Sequence, residues 1–82
     1  MLEYDPEFYE RQSGLSRRSA DIVVPLVLKL FPGTRSVVDV GCGVGTWLAA
    51  FADAGVEEIQ GIDGPYVRQE DLQIPADRFL GR

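Results

Sequence analysis

Val37-Val38-Asp39-Val40-Gly41-Cys42-Gly43-Val44-Gly45-Thr46-Trp47 decides the fold of this 82-residue chain. A β-branched apolar run carrying one acid gives way to three glycines at alternate positions, and these give way to helical spacing. The stretch reads as strand, glycine loop, helix, the arrangement in which a parallel strand delivers a small ligand to a helix N-terminus. Gly41 and Gly43 let the backbone adopt positive φ and approach a ligand closely, and Gly45 permits tight packing of helix on strand. The first turn of the helix offers unpaired N–H groups to an anion.

Downstream, Val44 to Ala54 places Val44, Trp47, Leu48, Phe51 and Ala54 on one helical face, with Asp53 outward and Gly55 as a left-handed cap. Glu58 to Asp63 then reads as a second strand, which the crossover rule sets parallel and adjacent to the first. Gly64-Pro65 turns the chain. Tyr66 to Pro75 reads as loop with a helical turn at Arg68 to Leu72, and Arg78-Phe79-Leu80 begins a third strand.

Upstream, Ser36 to Val40 is the first strand, and Pro32-Gly33 stops the helix before it. The apolar positions Ile22, Val23, Leu26, Val27, Leu30 and Phe31 follow helical spacing and predict the buried face of a helix capped by Ser16 or Ser19. Pro25 kinks that helix or sets the start of its regular part. A shorter helix is expected from Pro6 to Gln12, with a break at Ser13-Gly14. Tyr4, Phe8 and Tyr9 are read first as docking this segment on the core, and second as lining a pocket. Arg11, Arg17 and Arg18 read as a solvated face, or as contacts for an anionic substrate. The fold class is therefore α/β: an N-terminal helical segment over 1–35, and over 36–82 one Rossmann-like βαβ unit of a doubly wound parallel sheet, incomplete.

Composition narrows the function. A domain of this size buries only about 60% of the surface its unfolded chain exposes. With 45% hydrophobic and 26% charged residues the chain is nonetheless globular in character. Eight basic against thirteen acidic residues give a net charge of −5, which disfavours a phosphate-backbone partner. One cysteine and no histidine leave neither an internal disulfide nor a zinc cluster, so no metal site is expected and a reducing cytoplasm is the default. The N-terminus is acidic where a secretory signal is basic. The apolar run from Ile22 to Leu28 is far short of the roughly 20 residues of a membrane span, so it is expected to be a buried helix.

The glycine spacing separates two kinds of nucleotide site. A dinucleotide loop of the G-x-G-x-x-G type, laid on Gly41 and Gly43, demands glycine where this chain has Thr46. Instead the third glycine comes one residue early. Asp39, Gly41, Gly43 and Gly45 match acid-x-G-x-G-x-G, and here the sequence resembles motif I of the class I S-adenosylmethionine-dependent methyltransferases. Gly61-Ile62-Asp63-Gly64 is similar to the motif II region of the same family. The resemblance covers about Ser36 to Gly64 and, more loosely, the upstream helix. It implies a seven-stranded α/β sheet, of which these residues supply two strands and the start of a third, so the chain reads as the N-terminal part of a larger enzyme.

The resemblance implies S-adenosylmethionine as cofactor, with its amino acid end beside the loop formed by Asp39, Gly41, Cys42, Gly43 and Gly45. Asp39 then has two readings: holding the cofactor's ammonium group, or bonding loop N–H groups to fix the turn. Asp63 ends the second strand eighteen positions after Gly45, near the spacing of about 20 at which an acid accepts hydrogen bonds from ribose hydroxyls. Cys42 lacks a histidine to activate it and reads as a small residue between glycines. Trp47 reads as core before it reads as an adenine platform.

The implied reaction is in-line attack by a substrate nucleophile on the cofactor's methyl group, accelerated mainly by proximity and orientation. No catalytic residue is assigned within the 82 residues, and the methyl acceptor is not specified. Two other readings stay open: an NAD-type nucleotide-binding module, and a non-catalytic scaffold fragment that keeps strand and loop without a ligand. Two or three parallel strands also leave an unpaired edge, which invites self-association.

Overall fold

The computed structural model describes residues 6–82, with side chains placed from Gly14 onward, Leu15 apart. Its elements are α1 (Pro6–Leu30), β1 (Ser36–Val40), α2 (Thr46–Asp53), β2 (Glu58–Asp63) and β3 (Phe79–Gly81), with short 3-10 turns at Gln69–Asp71 and Ala76–Arg78. The three strands form one open parallel sheet in the order β1-β2-β3. The fold is α/β, with the arrangement expected of an incomplete Rossmann-like unit. Both full strands span the residues their apolar patterns predict, and the helical turn and third strand form where the sequence places them.

Register fixes which side chains share a face. Val37 lies opposite Ile59, and Asp39 opposite Gly61. Alternation along the strands then puts Val37, Asp39, Ile59, Gly61 and Asp63 on one face. That face carries the core: Leu48, Val56, Ile59 and Ile74 are buried together, with Val37, Cys42 and Phe51 packed against them. A second cluster of Ala20, Val24 and Ala50, flanked by Leu28, Trp47 and Phe51, joins α1 to α2. Leu48 and Val24 are the largest side chains buried completely.

Helix α2 begins at Thr46 rather than Val44, because Gly45 is left-handed at φ 86 and stands as its N-cap. Val44 is buried in the turn instead. At the other end Gly55, at φ 106, donates to Ala52 C=O at 3.0 Å while Val56 N–H donates to Phe51 C=O at 3.0 Å. This is a Schellman cap, and its customary apolar contact joins Val56 and Phe51.

The N-terminal segment departs from expectation in two ways. One helix of 25 residues runs through Ser13-Gly14 and past Pro25, so there is neither a break at Gly14 nor a cap at Ser16 or Ser19. A helical glycine costs only about 1 kcal/mol relative to alanine, which the packing of α1 on α2 offsets.

The buried stripe is also a different one. Ala20 and Val24 are buried and Leu28 is half-buried, a spacing of four, whereas Ile22, Leu26, Leu30 and Phe31 are exposed, Leu30 at 75% and Phe31 at 65%. The stretch from Ile22 to Phe31 is apolar nearly all round, so periodicity does not single out a face. Small Ala20 permits close approach to α2 and decides it. Arg17 reinforces the choice, bonding Asp21 at 2.8 Å and Asp53 of α2 at 2.6 Å. Among the described residues no helix is long and apolar enough to cross a membrane.

Candidate ligand site at the glycine loop

The C-terminal ends of β1 and β2 lie side by side, and the glycine loop crosses in front of them. Gly41 N–H and Cys42 N–H both donate to Ile62 C=O, at 2.6 and 3.2 Å. Gly43 N–H donates to Asp63 Oδ2 at 2.7 Å. Gly41, Gly43 and Gly45 all have positive φ, at 80, 58 and 86. This conformation is strained for any residue with a Cβ, so all three glycines of the alternate-residue pattern are required by the backbone path.

Gly45 does one thing more than the sequence shows. An ideal Cβ there would meet Ile74 at 2.9 to 3.0 Å, so its close approach is to the side chain of a distant loop and not to the strand. Gln73 N–H donates to Val44 C=O at 2.7 Å and holds that loop in place.

A cleft of about 690 Å³ opens at the loop, lined in part by Asp39, Gly41, Cys42, Gly43 and Asp63. Its volume falls within the roughly 300–1,000 Å³ typical of small-molecule sites. Of the six loop and strand-end residues assigned to the cofactor in sequence, Gly45 does not line the cleft, and neither do Arg17 and Arg18. Ser16, Thr46 and Tyr66 line it although the sequence reading gives them no site role, and Trp47 lines it too. Trp47 packs on the Ala20–Val24 cluster, as its core reading expects, and also lines the cleft. Arg17 is tied to two aspartates, and the described side chains do not extend to Tyr4, Phe8, Tyr9 or Arg11.

The two acids divide their roles in a way the sequence leaves open. Asp63 fixes the loop: besides Gly43 N–H it accepts Gly64 N–H at 2.7 Å and the Tyr66 hydroxyl at 2.6 Å, both on Oδ1. The carboxyl of Asp39, read in sequence as one candidate for that task, makes no hydrogen bond among the described residues.

Their titration follows. Burial pushes Asp63 upward, but the bonds from Tyr66, Gly64 and Gly43 outweigh it and hold the carboxyl below its ordinary range. Burial, and then the charge of Asp63, push Asp39 above the usual value. Asp63 ionises first, so Asp39 bears the cost of their proximity. Burial also pushes the Cys42 thiol up, and both carboxylates add to the rise. The thiol stays protonated and is a poor nucleophile.

Chemically, the cleft presents an acid without a side-chain partner among the described residues, a second acid rich in hydrogen bonds, and the start of a helix. The N-cap of α2 is glycine, with no side-chain cap bond and no acid in the first turn, which leaves the positive end of the helix unneutralised. These groups suit a zwitterionic amino acid joined to a polyhydroxyl group. Comparison with family models, with curated proteins and with solved structures finds no match to this chain.

Proposed function

We propose that this βαβ unit is the S-adenosylmethionine-binding portion of a methyltransferase that transfers a methyl group to a nucleophile. The observation that carries the reading is the placement of Asp39 and Asp63 near the C-terminal ends of adjacent strands, beside three positive-φ glycines in the acid-x-G-x-G-x-G pattern. Asp39, upward-shifted and without a side-chain bond among the described residues, is matched by the ammonium of the methionine moiety, whose charge favours the carboxylate. The uncapped start of α2 favours the carboxylate of the same moiety. Asp63 takes the ribose hydroxyls.

When bound, the cofactor supplies an electrophilic methyl on a sulfonium. Asp39 and Asp63 would hold its two ends rather than sit at the sulfur. This matters because an acid at sulfur stabilises the ground state more than the charge-dispersed transition state. Self-association through the free edge of β1 belongs to the same reading, since that edge and the sheet face beside it are uncovered.

Equilibrium competition between S-adenosylmethionine and NAD for the folded chain tests the assignment. Displacement of a fluorescent adenosine probe by the first at concentrations where the second has no effect is the expected outcome. Equal or preferential displacement by NAD would replace it with the dinucleotide reading.

A further inference from the structure

The hydrogen bonds of Asp63 do not leave room for a ribose as they stand. A carboxylate has about four acceptor positions, two on each oxygen. Here Oδ1 accepts from Gly64 N–H and from the Tyr66 hydroxyl, and Oδ2 accepts from Gly43 N–H. One position remains, on Oδ2. A vicinal diol gripping both oxygens needs two. The two backbone donors are fixed by the turn and the glycine loop, so the donor able to leave is Tyr66, whose side chain lines the cleft and is 55% exposed. Its ring lies over Gly64, where any Cβ would collide with it.

We propose that Tyr66 is a displaceable gate on the ribose subsite, its hydroxyl occupying the acceptor position on Asp63 that one hydroxyl of a bound cis-diol must take. This rests on the reading of Asp63 as the ribose acceptor. In the unliganded protein Tyr66 keeps Oδ1 satisfied. A diol displaces it and exchanges one O–H donor for another. A ligand with a single hydroxyl bonds the free position on Oδ2 and leaves Tyr66 in place. The gate therefore weakens discrimination between ribose and deoxyribose ligands, because what the diol gains on Oδ1 it loses with the tyrosine.

The test compares adenosine, 2′-deoxyadenosine, 3′-deoxyadenosine and S-adenosylhomocysteine on the wild-type chain, Tyr66→Phe and Gly64→Ala. Phenylalanine keeps the ring and removes the hydroxyl. Alanine at 64 keeps the hydroxyl and pushes the ring off its seat. Both variants are expected to bind S-adenosylhomocysteine three- to tenfold more tightly than wild type. The preference for adenosine over the deoxy analogue lacking the displacing hydroxyl rises from below about threefold to about tenfold, the worth of a charge-assisted bond no longer offset.

Carboxyl carbon resonances give a readout independent of affinity, with the midpoint of Asp63 moving up in Tyr66→Phe. Unchanged or weaker binding by both variants, with discrimination as in wild type, overturns the gate while leaving the cofactor reading intact. Folded chains of all three forms that bind none of the four ligands overturn both.

Discussion

Asp39 and Asp63 stand one strand apart, yet they act on stability with opposite signs. A folded-state value raised above the unfolded one means that the native protein binds more protons in the interval between them, so Asp39 lowers stability as pH rises through that interval. Asp63, with its value lowered, contributes stability above its ordinary range and loses it as pH falls through the folded value. Asp39→Asn is therefore expected to raise the melting temperature by a few degrees at neutral pH. The gain closes by about pH 3, where both states are protonated. Thermal scans across pH check this, and the same variant weakens binding of S-adenosylhomocysteine by about tenfold if the acid holds an ammonium.

A second residue-scale expectation concerns Gly61. A Cβ there would lie 2.6 Å from Cys42 Sγ and 3.1 Å from Leu48 Cδ1. Gly61→Ala should cost about 1–3 kcal/mol in urea unfolding, and pairing it with Cys42→Ala should recover much of that loss. The identity of Cys42 is thus linked to a glycine on the neighbouring strand. No local pattern in the sequence shows such a link.

Among the elements, strands and glycine loop were the legible part. Their residues alternate or switch period sharply, and the positive φ expected at Gly41 and Gly43 is found, while that of Gly45 was not foreseen. Helix α1 was less legible because an apolar run that covers most of a helix names no face, and because its partner α2 is far off in sequence. The seat of Tyr66 was not legible, since it depends on a turn at Gly64-Pro65 folding a loop residue back onto a strand end. Glycine substitutions separate these cases. Gly14 is exposed, helical and without neighbours, so Gly14→Ala should stabilise the chain by about 0.5–1 kcal/mol. Gly55, equally without neighbours but at φ 106, should lose about 1 kcal/mol on the same change. Denaturant midpoints of the two variants, moving in opposite directions, check the claim.

For the whole molecule, one face of the sheet stands out. Val40 pairs with Ile62 and Ile62 with Leu80, so an apolar row crosses all three strands on the side away from α2. Val38 and Val40 are 62% and 77% exposed there. Parallel sheets are ordinarily covered on both faces, and this one has its helices on one. We expect the isolated chain to self-associate at high concentration. Val40→Lys should reduce that association in sedimentation experiments while changing stability by less than about 0.5 kcal/mol; equal association by both chains would place the contact elsewhere.

The proposed function requires that S-adenosylmethionine bind at the ends of β1 and β2 and the loop between them. Its most direct test is calorimetric titration of S-adenosylhomocysteine into the folded chain and into Asp63→Ala, with the fold of each verified by circular dichroism. Saturable binding by the wild-type chain and a loss of at least about tenfold in the variant are expected. Binding that is indifferent to Asp63, or none at all by the folded wild-type chain, would contradict the proposed function.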